Sequence, residues 1–400
     1  MLTSARRVKI AVAAAGFTSF ALLYAPQAVL PQLAAQYHLD PGGAALAVSV
    51  ATGALAISVL PVAALSEVVG RRPVIIASVA VSSVLGLLLP LMPNYPLLLV
   101  LRAVQGVAIA GFPGVATAYL VERLGKAGVA AAVGAMIAGN TIGGMTGRLA
   151  TGFTAGPLGW HGALYVVAGL SLICAVVTVV TLPPSERSAR STGEQQGLRD
   201  VGTGLLLAVR RPVLLVQYAV ALLAMGSFVA LYNAAGFRLT GSPLNLSPAI
   251  ASLVFLSYAL GSVSSATANR LSARFGRRQA LTGVLVLTAA GGLLTLPDSL
   301  PLIVLGFLVL TAAFFAAHSI ANSWAAAEAP ENARGQVGGL YTLMYYLGSS
   351  VGGGLGSVVY SHAGWDWLIV AVVVWLGLAV AAVQVGTRVR QRVLVGVRAG

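Results

Sequence analysis

The stretch Ala63 to Ile75, AALSEVVGRRPVI, decides the fold. Long apolar runs flank it, and between them Glu67, Gly70, Arg71 and Arg72 crowd into six residues, too few for a soluble loop. Two membrane helices must turn sharply here. The pattern returns 206 positions later in Asn269 to Leu281, NRLSARFGRRQAL, with Gly276, Arg277 and Arg278 in the places of Gly70, Arg71 and Arg72, and with Arg274 just ahead. The chain therefore reads as a duplicated membrane unit.

Composition agrees. The 400 residues are 58% hydrophobic and 8% charged, with a mean hydropathy of +0.90. A soluble domain carries roughly 25% charged residues. A helical span needs about 20 apolar residues, so the chain accommodates about twelve spans and no sizeable domain outside the bilayer. Its 47 glycines suit close helix crossings in lipid, where the hydrophobic effect does not drive helices together. The net charge of +14 points to orientation and not to nucleic acid. With a cytoplasmic N-terminus, 21 of the 24 Lys and Arg lie on the inner side, as the positive-inside rule requires. The remaining three are Arg102 inside a span and Arg148 and Arg238 near the outer face. The single cysteine, Cys174, excludes a disulfide framework within the chain.

Taken in order, the expected spans run from Ile10 to Leu33, Ala44 to Leu65, Pro73 to Met92, Pro96 to Ala118, Gly128 to Leu149 and Ala163 to Leu182. Those of the second half run from Val213 to Ala235, Ala249 to Asn269, Ala280 to Leu296, Leu302 to Ala325, Val337 to Tyr360 and Leu368 to Val385. The first run is an alternative secretory signal ending near Ala28, but it outlasts the usual 7–15-residue apolar core. The expected organisation is a six-helix bundle over residues 1–182, a polar cytoplasmic linker over 183–211 that reads as disordered, and a second bundle with a basic tail over 212–400. Two further markers support the repeat: Gly139 to Gly144 matches Gly348 to Gly353 at an offset of 209, and Gly159-Trp160 matches Gly364-Trp365 at 205.

The arginine turn resembles the signature G-x-L-a-D-r-x-G-r-k-x-x-l between the second and third helices of the major facilitator superfamily. Leu65, Gly70, Arg71, Arg72 and Ile75 match it, Glu67 stands at its Asp, and Ala63 at its first Gly. In the second copy Leu271, Arg274, Gly276, Arg277, Arg278 and Leu281 match, whereas Ala273 replaces the acid. Arg102 to Gly106, RAVQG, is similar to the family's R-x-x-q-G segment, and Gly139 to Gly144 to its antiporter segment G-P-x-x-G-G, with Asn140 at the proline. Together with Phe314-Phe315, His318, Tyr345-Tyr346 and Tyr232-Asn233 the chain resembles a bacterial branch of arabinose or drug exporters. The resemblance implies two six-helix halves rocking about a site near the bilayer midplane.

Two readings stay open for Arg102, coupling or anion binding in a cavity, and packing against carbonyls of neighbouring helices. An intramembrane Arg will in either case avoid lipid. Every Asp and Glu falls at a turn or tail, so no carboxylate sits mid-membrane and cationic substrates are disfavoured. His318 is left as the titratable group inside, oriented by Ser319 and Asn322, and with Arg102 it forms the expected coupling pair. The expected cavity residues are Tyr24, Gln27, Gln105, Asn140, Gln217, Asn233, Tyr258, Phe314, Asn322, Tyr341 and Tyr345. Glu67, Gly70, Arg71, Arg72 and Glu122, with Arg274, Gly276, Arg277 and Arg278, form the expected gates. No phosphate-cradling loop, metal-ligand spacing or nucleophile pattern is present, so neither an enzyme nor a cofactor is expected. The expectation is a monomeric, proton-linked exporter of a small solute in a bacterial inner membrane, with both termini cytoplasmic. An importer or facilitator, and a transport-inactive sensor or scaffold, are the alternatives.

Overall fold

The computed structural model describes residues 4–183 and 198–398, which are almost wholly helical, with no strand among them. Residues 184–197, the part of the linker that includes Glu186 and Glu194, lie outside the described residues. Among the described residues, eight helical stretches are long and apolar enough to cross a membrane. Two of them, Gly128–Thr181 of 54 residues and Glu331–Gly386 of 56, are more than twice the length of one crossing. Each is broken by a glycine with positive φ, at Gly159 and Gly364. Counting each as two, and adding the shorter Tyr95–Ala110 and Arg277–Leu293, the helices are compatible with twelve crossings.

The first crossing is α1, Ser4–Tyr24, a 3-10 turn at Ala25–Val29, and α2, Leu30–Tyr37. Pro26 causes the break: without an N–H it cannot donate to the Leu22 carbonyl one turn back. Asp40 then caps α3, Pro41–Val69, by accepting from the Gly43 amide at 2.8 Å. The quoted arginine turn is a single residue. Gly70, at φ +101°, joins α3 to α4, Arg71–Leu88, and Gly276, at φ +80°, joins α10, Tyr258–Phe275, to α11, Arg277–Leu293. A side chain resists that backbone region, which explains why the two copies share glycine there.

Helix α5, Tyr95–Ala110, stops before the expected end at Ala118. Gly111, Pro113 and Gly114 interrupt the span before α6 begins at Ala116. Helix α6, Ala116–Thr181, consists of segments 116–124, 126–158 and 160–181. The connection expected between the spans ending at Leu149 and beginning at Ala163 shrinks to Gly159. Helix α7, Leu198–Arg210, corrects the expectation of a wholly disordered linker; its Gly204 and Ala208 are buried one turn apart. After it come α8, Pro212–Thr240, α9, Pro248–Ser252, a 3-10 turn at Leu253–Ser257, α12, Leu300–Glu328, and α13, Arg334–Arg398.

Contacts divide the chain into two compact units, Met1–Thr192 with Tyr232–Leu256, and Gly193–Leu231 with Ser257–Gly400. In the first, Gly139, Gly143 and Gly147 of α6 face the backbone of α1 at Ala13, Phe17 and Ala21, so closely that a Cβ at any of the three would run into it. In the second, Gly348, Gly352 and Gly356 face Leu222, Gly226 and Ala230 of α8 in the same manner. The flat face of α6 therefore follows a spacing of four. Gly144 lies off it, and its nearest side-chain neighbour is Arg148.

Candidate substrate site

One buried polar group of the first unit joins α6, the break in the first crossing, and the segment 232–256. The 3-10 turn that Pro26 imposes carries Gln27, which is 1% exposed. Its Nε2 donates to Oδ1 of Asn233 at 2.7 Å, and its Oε1 accepts from Nε of Arg148 at 2.6 Å. Arg148 also donates to the Gly144 carbonyl at 2.8 Å and lies over the rings of Tyr24 and Phe255, 4.3 and 5.3 Å from their centroids. Arg148, which the sequence reading set near the outer face and outside the cavity, is 2% exposed inside the unit. Tyr24, Gln27 and Asn233, all expected cavity residues, come together here. Gln27 and Phe255, with Pro31, Gln32, Gly236 and Ser252, also help line a cleft of about 230 Å³.

Arg148 and Phe255 were missed by the sequence reading. A signal existed for the first. At the offset of 209, Arg148 faces Ser357 in the second repeat, and both donate to the carbonyl four residues back, Gly144 and Gly353. A small hydroxyl in one repeat and a buried cation in the other is an asymmetry that duplication alone does not produce.

Arg102 is fully buried and donates along the backbone: Nε to Ala47 O at 2.7 Å, and the terminal nitrogens to Leu22 O at 3.1 Å and Leu23 O at 2.6 Å. A further bond of 2.5 Å reaches Oε1 of Gln105, whose amide nitrogen donates to Ser82 O at 3.0 Å. Leu22 O is the carbonyl that Pro26 leaves without a helical donor. These partners are those of the packing reading: Arg102 holds the break on which Gln27 sits. Asn140 lies against Gly16 of α1, with its Oδ1 buried and without a hydrogen-bond partner.

At the arginine turn of the first unit, Arg71 pairs with Glu67 at 2.8 Å and with Glu122 at 2.9 Å, and donates to Ala118 O at 3.1 Å. Arg72 donates to Leu182 O at 3.1 Å. In the second unit, where Ala273 replaces the acid, Arg278 donates to the Gln384 side chain at 2.8 Å from Nε and again from a terminal nitrogen. Arg274 lies against the ring of its neighbour Phe275. The positions Gly276 and Arg277 repeat the geometry of Gly70 and Arg71 at the helix junction.

The second unit holds the expected aromatic residues. Phe228 stacks on Phe314 at 4.0 Å and meets Tyr258 edge-on at 5.6 Å. His318 Nδ1 lies 3.1 Å from the Tyr341 hydroxyl, which also donates to the His318 carbonyl at 3.2 Å, and the Tyr345 ring is 4.5 Å away. Ser319 and Asn322 do not orient the ring as expected: Ser319 donates to Ser265 O at 3.3 Å, and Asn322 is exposed. Tyr341 takes that role. Gln217 is fully buried on α8.

The sequence matches the model of the Major Facilitator Superfamily over residues 12–241 and 237–396. It is 36% identical to the MFS-type transporter YybF of Bacillus subtilis (strain 168), over 94% of this chain and 92% of that one. Against the inner membrane transport protein YnfM of Escherichia coli (strain K12) the identity is 37%, over 96% and 91%. The fold is similar to that of a bacterial homolog of the human lysosomal transporter Spinster, with a TM-score of 0.79, 14% identity and coverage of 97% and 98%. The nucleoside transporter NupG gives 0.73, 14%, 97% and 99%.

Proposed function

Since the chain belongs to the Major Facilitator Superfamily and is thus a multi-pass membrane transporter, we propose that it exports a small neutral or anionic solute from a bacterial cytoplasm in exchange for protons. The single observation that carries the substrate charge is the guanidinium of Arg148, bonded to Gln27 and flanked by Tyr24 and Phe255, of which Gln27 and Phe255 line the cleft. A permanently charged Arg in a low-dielectric setting attracts acceptor groups and repels an organic cation. The aromatic rings add apolar area for the body of the solute. Arg102 acts through Gln27, by fixing the main-chain break that presents it. His318 is the proton-responsive group, and the Arg71 cluster closes the inner side when the site faces outward. Alternating access of the two sequence repeats, 1–182 and 212–400, about a midplane site moves the solute across.

The test is flux in proteoliposomes with benzoate, D-xylose and tetraphenylphosphonium as competing solutes. Saturable uptake of benzoate or xylose, stimulated by a pH gradient, is the expected result. Robust uptake of tetraphenylphosphonium alone would overturn the charge assignment, and a complete lack of saturable flux with any solute tried would favour a sensor or scaffold.

A further inference from the structure

We infer that the Gly276 junction of the second unit binds an anionic phospholipid, with Arg270, Arg274 and Arg277 holding the headgroup phosphate and the exposed flank of α10 meeting an acyl chain. Such a site is independent of which solute is carried and in which direction. The two copies of the arginine turn differ in how their charges are met. In the first, Arg71 is bonded to both Glu67 and Glu122, at 2.8 and 2.9 Å. At the offset of 206 those three positions become Arg277, Ala273 and Glu328. Arg277 is exposed and makes no hydrogen bond or ion pair among the described residues, with Glu328 or with any other. Arg270 is likewise exposed and unpaired among them, and Arg274 meets the ring of Phe275, 5.2 Å from its centroid. Arg278 is already taken by Gln384.

The helix supplies the rest of a lipid's outline. Gly261 and Ser265 pack α10 against Phe315 of α12. The opposite face carries, at helical spacing, Leu260, Val263, Thr267, Arg270 and Arg274, all exposed. Leu260 is 42% and Val263 63% exposed, and Phe275 beside Arg274 is 49% exposed. A stripe that turns from apolar to basic towards the end of a membrane helix matches a phospholipid, acyl chain first and phosphate after it. Guanidinium forks bind phosphate oxygens in pairs and stay charged. A zwitterionic headgroup brings its own cation to the same place, so three unpaired arginines favour a headgroup without one, such as that of phosphatidylglycerol. The lipid phosphate then supplies the counter-charge that Glu67 supplies in the first copy.

The experiment titrates the delipidated full-length protein in detergent with dioleoylphosphatidylglycerol and with dioleoylphosphatidylcholine, and counts bound lipid by native mass spectrometry. Phosphatidylglycerol should bind more tightly by roughly tenfold or more. Ala273→Glu restores the acid of the first copy one turn before Arg277 and should weaken that binding by about fivefold, the scale of one arginine neutralised at a membrane surface. Ala273 is exposed and glutamate suits a helix, so the variant keeps its fold. The triple variant Arg270→Gln, Arg274→Gln, Arg277→Gln should weaken binding on the order of a hundredfold. Arg6→Gln, an equal change of net charge at an exposed position of the first unit, should leave it unchanged. Equal weakening by Ala273→Glu and Arg6→Gln would reduce the effect to overall charge and overturn the site, as would equal binding of the two lipids. Displacement of the lipid by glycerol 3-phosphate would give the arginines to a soluble phosphate and overturn the lipid assignment.

Discussion

Gln27 and Asn233 are 206 positions apart, the offset at which the arginine turns repeat, and their side chains are hydrogen-bonded at 2.7 Å. Two residues at equivalent places in the duplicated sequence therefore touch each other. Duplication does not make them equal in surroundings: Gln27 accepts from Arg148, whose counterpart in the second repeat is Ser357. The first expected outcome follows from this three-residue chain. Replacing Arg148 with Leu leaves the buried Oε1 of Gln27 without that donor, which costs about 1–3 kcal/mol. Gln27→Leu should cost a similar amount, and the double variant clearly less than the sum of the two, with a coupling of roughly 0.5–3 kcal/mol. Unfolding in detergent measures all three. Additive losses would show that the two side chains act independently.

A second outcome concerns the arginine turn. Glu67 is 63% exposed and Glu122 is 29% exposed in their pairs with Arg71. Exposed pairs are worth about 0–1 kcal/mol, so Glu122 is the stronger partner, although Glu67 carries the family's acid position. Both Glu67→Gln and Glu122→Gln should shift the protein toward the inward-open state, Glu122→Gln by more. Glu331→Gln, at an exposed turn, should have no effect. The readout is alkylation of a cysteine placed in the cleft, at Ala251. Equal shifts from all three would remove the gating role.

Orientation supplies the third. The inner assignment of 21 of the 24 basic residues puts the turn at Glu331–Ala333 in the cytoplasm. A cysteine at Glu331, in a Cys174→Ser background, should resist an impermeant maleimide added to intact cells and react once the cells are opened. Reaction in intact cells would reverse the topology.

The helices were legible because membrane spans announce themselves by apolar length, and because Gly70 and Gly276 mark junctions that few other residues fit. The interruption at 111–115 was also written in the chain, in Gly111, Pro113 and Gly114, but an apolar run hides a break. The segment Gly139 to Gly144 was legible as a marker of the repeat; only the neighbouring helix shows that Gly139, Gly143 and Gly147 form the packing face and that Gly144 does not. Arg148 was the larger loss. Its surroundings are tertiary, and the ring of Phe255 that flanks it is brought in by a segment over 100 residues away. Tyr24, Gln27 and Asn233 could be nominated as polar interruptions of apolar runs, yet the bond between them is tertiary and left no local trace.

The last outcome takes His318 as the group that links protons to solute. Imidazole is the side chain whose unperturbed pKa, near 6.5, lies in the working range. Its Nδ1 faces the Tyr341 hydroxyl, and Tyr345 and Phe314 flank the ring; no carboxylate lines the pocket around it. If protonation favours one facing state and solute the other, exchange follows from linkage between the two binding events. His318→Gln keeps a polar side chain of similar reach but cannot titrate. Solute exchange between proteoliposome compartments of equal pH should survive in that variant, while accumulation driven by a pH gradient should disappear. Tyr341→Phe, which removes the partner hydroxyl and leaves the imidazole, should retain accumulation and move its pH profile. Gradient-driven accumulation that persists in His318→Gln would make His318 structural and shift the search for the coupling group to Asp40, Glu67 and Glu122.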